Sequence, residues 1–185
     1  MRRLAIALVH HPVLDAQGGI VTSAITNLDV HDLARSARTY GVTDYFVVHP
    51  VTAQRDLVER IKDHWRDGSS GKRIPDRKLA LEVVRVVPAL EDVWAALGGR
   101  DAIEVWVTAA RAIGQVTTAE ARARLEQDGK PVVVLFGTAW GLAPEVTGAA
   151  DVRLAPLAAE KSAGYNHLSV RAACAILLDR LRGAR

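Results

Sequence analysis

The stretch VVVLFGTAWGLAPE, residues 132–145, sets five consecutive apolar residues directly before a loop punctuated by Gly137 and Gly141. The run follows Pro131 and shows no polar alternation, so it predicts a strand buried on both faces rather than one half-exposed to water. Such strands belong to parallel sheets covered by helices on both sides. The chain around it repeats the pattern. Residues 4–9 (LAIALV), 45–50 (YFVVHP), 84–87 (VRVV), 103–108 (IEVWVT) and 152–156 (VRLAP) are further short apolar runs.

Helical segments separate them. Thr26, with an acid three residues on, caps a helix that ends before Gly41. Others are expected over 52–66, around Lys78, over 90–97, from Thr117 or Thr118 to Gly129, and from His167 to Arg182. The glycines of DAQGGIVTS (15–23) and the Gly, Ser and Pro residues of DGSSGKRIPD (67–76) predict loops. The alternation predicts an α/β fold with a mostly parallel sheet covered by helices on both faces, as a single domain over residues 1–185.

Composition sets the class. The chain has 185 residues, 49% hydrophobic and 24% charged, as globular proteins do. No apolar run approaches a membrane span. MRRLAIALV reads as a first strand rather than a signal segment, because its apolar run is short and lacks a small-residue cleavage site. A single cysteine, Cys174, cannot form an internal disulfide, and a cytoplasmic location is expected. The formal charge is +3, yet Arg60 to Arg85 holds eight cations against four acids. That stretch can track a phosphate backbone or form an ordinary solvated face.

Within NLDVHDLARSARTYGV (27–42), Val30, Leu33, Ala37 and Tyr40 recur at helical spacing as one apolar stripe. Asn27, His31, Arg35 and Arg38 recur on the other side, where two guanidiniums, an imidazole and an amide can grip a phosphate or ribose. Taken alone, such a helix more often carries an ordinary solvated polar face. In 132–145, Gly137 and Gly141 permit close backbone approach, and Leu135 and Leu142 can sandwich a planar ring. The loop is neither a dinucleotide fingerprint nor a phosphate loop, since no G-K-[ST] follows. His10, His11 and Pro12 end the first strand, where open sheets place ligands. No acid or cysteine stands at ligand spacing beside them, so no metal is expected.

Taken in order, these segments resemble the SPOUT methyltransferases. Arg35, Ser36 and Gly41 are similar to the first motif of that family; residues 132–145 resemble the second. RLAPLAAEKSAGYNHLSVRAACAILLDRL (153–181) resembles the third, with Leu154 to Leu157 as its strand and Pro pair and Asn166, His167 and Ser169 as its polar cluster. Two motifs depart: the family's Asn six residues before the Arg is Asp29 here, with Asn27 two residues further back, and Tyr165, Asn166 and His167 stand where Ser, Leu and Asn are usual.

The resemblance implies a trefoil knot near the carboxy terminus, a homodimer, and S-adenosylmethionine as cofactor. It implies donor contacts at Thr108, Ala109, Leu135, Phe136, Gly137, Thr138, Gly141, Leu154, Pro156, Leu157, His167, Leu168 and Ser169. The reaction it implies is methyl transfer to a nucleotide in RNA, with tRNA as the expected substrate, and Arg35 as the orienting group, assisted by Arg38. Asp29, Asp32 and His31 are candidate bases. A carboxylate suits a base nitrogen such as guanine N1, whereas a ribose 2′-hydroxyl suits an Arg-centred route. Two rivals stand beside it: a SPOUT-like RNA-binding protein without transfer activity, and an unrelated Rossmann-like nucleotide-binding domain.

Overall fold

The computed structural model of the protein describes residues 1–108 and 116–184. In chain order, β1 (Leu4–Val9) leads into a ribbon of β2 (Val13–Leu14) and β3 (Ile20–Val21), then α1 (Asn27–Thr39) and β4 (Asp44–Val48). Next come α2 (Thr52–Asp67), α3 (Ser69–Arg73), α4 (Pro75–Leu81), β5 (Val84–Val87) and α5 (Leu90–Ala96). The remainder is β6 (Glu104–Val107), α6 (Thr118–Glu126), β7 (Val132–Gly137), α7 (Pro144–Gly148), β8 (Val152–Arg153) and α8 (Val170–Arg182).

Six strands form one sheet in the order β5-β4-β1-β7-β6-β8, and every neighbouring pair is parallel. The unbroken apolar runs are buried on both faces, as their lack of alternation predicts. Ile6 and Leu8 face a layer that includes α1, α6 and α8; Ala5, Ala7 and Val9 face α5 and the loop into α7. On α8, Cys174, Leu177, Leu178 and Leu181 are buried, a one-sided stripe at helical spacing. Register puts Val9 beside both Val48 and Gly137. The strand order turns round between β1 and β7, so their carboxyl ends border the crevice where open α/β sheets take ligands.

The local signals hold at the helix starts. Thr26 caps α1 through its bond from the Asp29 amide, and Thr117 with Glu120 forms a reciprocal capping box on α6. Three boundaries differ from expectation. Residues 67–76 are mostly helical, not a loop: Pro75 occupies the first turn of α4, where its fixed φ suits a helix start. Gly71 lies so close to α2 that a Cβ there would sit 1.9 Å from the Trp65 carbonyl oxygen. These punctuating residues serve tight helix packing. α6 stops at Glu126 rather than running to Gly129. α8 begins at Val170, because the Ser169 hydroxyl accepts from the Ala172 amide and ends the extended segment there. The predicted loop 15–23 also contains β3. A knot is a property of a continuous path, and the described residues break at 109–115, so the trefoil knot stays with the resemblance.

Candidate functional site

Parallel strands end on the same edge, and this brings Thr108, Gly137 and Leu154 of the expected donor contacts to one side of the sheet. β7 ends at Gly137, β6 is followed by Thr108, and Leu154 follows β8; Leu154 N donates to the Val107 carbonyl at 3.0 Å. Leu135 and Phe136 are themselves buried in the sheet, and the Leu135 carbonyl accepts from both the amide and the hydroxyl of Thr108. Ala109 lies outside the described residues. After Gly137 the chain turns sharply. Thr138 bonds back to the Val9 carbonyl, the Trp140 amide bonds to Leu14, and the turn places Ala139 at φ 51 and Gly141 at φ 108. A non-glycine residue at positive φ costs on the order of 1 kcal/mol and persists only where surrounding bonds impose it.

The third motif supplies an open backbone. Among the described residues, 156–159 and 165–168 make no backbone hydrogen bond. Pro156 and Leu157 are half-buried, Leu168 is 45% exposed, and His167 is exposed with its ring 6.3 Å from that of Tyr165. Amides and carbonyls without a backbone partner among the described residues, beside apolar side chains, suit an adenine edge and face. The residues present thus fit a nucleoside-containing methyl donor.

Tertiary packing joins α1 to this region. Asp29, buried, accepts from Arg171 Nη1 at 2.8 Å and from the Thr26 hydroxyl at 2.6 Å. The clamp seats α1 against the start of α8, so that Arg35, Ser36, Ser169 and Arg171 line one groove of about 550 Å³. Arg35 is exposed and also lines a second groove, of about 500 Å³, with Asn27, His31 and Trp65. Arg38 is exposed and lines neither. His31 packs edge-on to Trp65, and burial, followed by the Arg77 charge, lowers its pKa.

Behind the turn lies a polar relay. The Thr138 hydroxyl donates to the Val9 carbonyl at 3.1 Å and lies 2.5 Å from the Ser23 hydroxyl, which is 2.9 Å from His10 Nδ1. With the Thr138 proton on Val9, Ser23 donates to Thr138 and His10 Nδ1–H donates to Ser23. His10 is fully buried with Nε2 unpartnered, its ring 5.6 Å from that of His49. Burial, then the neighbouring His49, pushes its pKa down to about 4.

Packing thus brings Arg35 of α1 beside Ser169 and Asp29 onto Arg171, while His31 lines the other groove with Arg35 and Arg38 lines neither. Sequence reasoning left Arg171 without a role, although it stands two residues past Ser169 within the quoted third motif. Arg77, Arg60 and Trp65 contributed only to a charge and composition count. No periodicity links α2 and α4 to α1, so only packing could find them.

A sequence profile of the family described as SAM-dependent RNA methyltransferase matches residues 3–183. A protein of Nitratidesulfovibrio vulgaris named tRNA (guanine-N(1)-)-methyltransferase is 42% identical over 186 residues, covering 98% of this chain and 42% of its own length. An uncharacterized protein of Aquifex aeolicus is 33% identical over 179 residues, covering 95% of this chain and 86% of its own. Among solved structures, the SpoU methyltransferase AviRb of Streptomyces viridochromogenes, in complex with AdoMet, superposes with TM-score 0.55 at 15% identity, over 97% of this chain and 56% of that one. The fold is that of the SPOUT enzymes. The chain spans about two-fifths of the length of the curated relatives it matches first.

Proposed function

The chain belongs to the SAM-dependent RNA methyltransferases, and from that membership we propose that it transfers a methyl group from S-adenosylmethionine to a nucleotide in tRNA. The observation that carries the proposal is the Asp29–Arg171 clamp, which seats Arg35 in one groove with Ser169. The donor, when bound, supplies an electrophilic methyl group that needs no further activation. The protein then contributes alignment and proton removal.

In this reading the backbone of 156–159 and 165–168, with Leu157 and Leu168, holds the donor, and Thr108, Gly137, Thr138, Gly141 and Leu154 shape its pocket. Arg35 orients a phosphate or ribose oxygen of the acceptor nucleotide. His31, whose pKa is lowered by burial and then by the Arg77 charge, shares a groove with Arg35 and is the group we assign to the departing proton. Asp29 acts by holding Arg171. The chain acts as one SPOUT domain in the cytoplasm; among the described residues no helix is long and apolar enough to cross a membrane. It works as a homodimer, a reading supported by the exposed apolar side chains of Leu168 and Ile176 beside and along α8.

The name of the curated relatives supports tRNA as substrate and guanine N1 as acceptor. Calorimetric titration with S-adenosylmethionine and transfer of labelled methyl to bulk tRNA test the proposal. Donor binding with incorporation is expected, and nucleoside mass spectrometry should then show 1-methylguanosine. A 2′-O-methyl nucleoside would move the acceptor to the ribose. Absence of donor binding would overturn the assignment, and binding without transfer would leave an RNA-binding protein.

A further inference from the structure

Three guanidiniums converge where α1, α2 and α4 meet. Arg35 projects from α1, Arg60 from α2 and Arg77 from α4 into the groove of about 500 Å³ that His31 and Trp65 also line. Among the described residues none of the three pairs with a carboxylate, whereas Arg3, Arg66, Arg100 and Arg122 each hold one. The groove's one acid, Asp32, lies 3.6 Å from Arg171 and so is shared with that guanidinium. Arg77 lies with Cζ 4.8 Å above the Trp65 ring, which presents its guanidinium plane rather than leaving it to wander. His31 Nδ1 is removed from solvent without a partner.

We propose that this groove binds the RNA backbone next to the methyl-accepting nucleotide, with phosphates on Arg60 and Arg77. The inference rests on the methyltransferase reading and deepens it. Unpaired guanidiniums gathered in a concavity repel one another and are stabilised by a polyanion that releases its counterions on binding. The groove has room for about one nucleotide. Its continuity with the Ser169 groove runs through Arg35 and Asp32, which line both. A strand seated on Arg60 and Arg77 therefore reaches Arg35 before it reaches the donor side. RNA recognised this way is single-stranded or locally opened, because a splayed nucleotide exposes the phosphates and edges that a closed helix hides.

Fluorescence anisotropy with a labelled oligouridylate and with bulk tRNA, over a range of salt concentrations, tests this in the full chain. The double variant R60A/R77A should lower affinity by roughly tenfold or more and reduce the slope of log K against log salt by about 1.4, the loss of two phosphate contacts on a single strand. R60K/R77K should keep most of the slope. Arg124→Ala removes an exposed charge on α6, away from the groove, and should leave slope and affinity unchanged. Unaltered affinity and slope in R60A/R77A, or an equal loss in R124A, would overturn the groove. Calorimetry with S-adenosylmethionine separates the two claims. A chain that shows the slope loss but binds no donor retains the groove and loses the methyltransferase reading; a chain that binds donor with no slope loss does the reverse.

Discussion

Asp29 Oδ1 and Arg171 Nη1, 142 positions apart in the chain, meet at 2.8 Å, and the Asp29 side chain is only 7% exposed. Removing Arg171 therefore strands a carboxylate that the fold has withdrawn from water. Arg171→Ala is expected to destabilise the protein by about 1–3 kcal/mol, less than a fully buried pair because Arg171 is itself a third exposed. Asp29→Asn, which removes the charge and keeps the shape, should cost less. Urea unfolding of both variants checks the order; equal costs would mean the clamp is not an electrostatic one.

Arg35→Ala removes an exposed side chain, so stability should change by no more than about 0.5 kcal/mol. Methyl transfer should fall by about 100-fold or more if the guanidinium meets charge developing at the acceptor. Donor affinity, read by calorimetry, should stay within about twofold, because a purely acceptor-side group makes no contact with the donor. Loss of donor binding would place Arg35 on the other side of the reaction.

His10 titrates near 6.5 when unfolded and near 4 when folded. Between those values only the unfolded chain takes up the proton, so stability falls as pH drops below 6.5 and the loss levels off below about 4. Its full size is on the order of 3 kcal/mol. His10→Gln cannot titrate, and its urea midpoint should vary less with pH over that window than the parent's. Parallel curves for the two proteins would count against a neutral buried His10.

Gly137→Ala would place a Cβ 2.7 Å from the Leu142 amide nitrogen and 3.0 Å from the Gly141 carbonyl carbon, so the loop must move. The expected cost is about 1–3 kcal/mol, with weakened donor binding. Gly148→Ala meets open space and should stabilise by about 0.5 kcal/mol. Thermal unfolding of the pair tests whether backbone contact, rather than loop flexibility, explains the glycine at 137.

Cys174 is fully buried, and burial pushes its thiol pKa far up. Thiol reagents should label it only in denaturant. Labelling of the native chain at a comparable rate would show that α8 opens readily.

By itself, the sequence determined the parallel α/β sheet, the cap at Thr26, a hydroxyl cap at Thr117 or Thr118 and the order of the three motifs, because each is written in neighbouring residues. Unbroken apolar runs, hydroxyl caps and glycine turns act over a few positions, so a linear reading recovers them. It misread 67–76 because Gly71 and Pro75 punctuate a loop and a tight helix pair alike. Tertiary structure alone decided which polar residues face one another. Asp29 looked like a free carboxylate until Arg171 arrived from the far end of the chain, and Arg60 and Arg77 were mere charges until α2 and α4 packed against α1. Side-chain reach is a few ångströms, and only the fold decides which distant residues come within it.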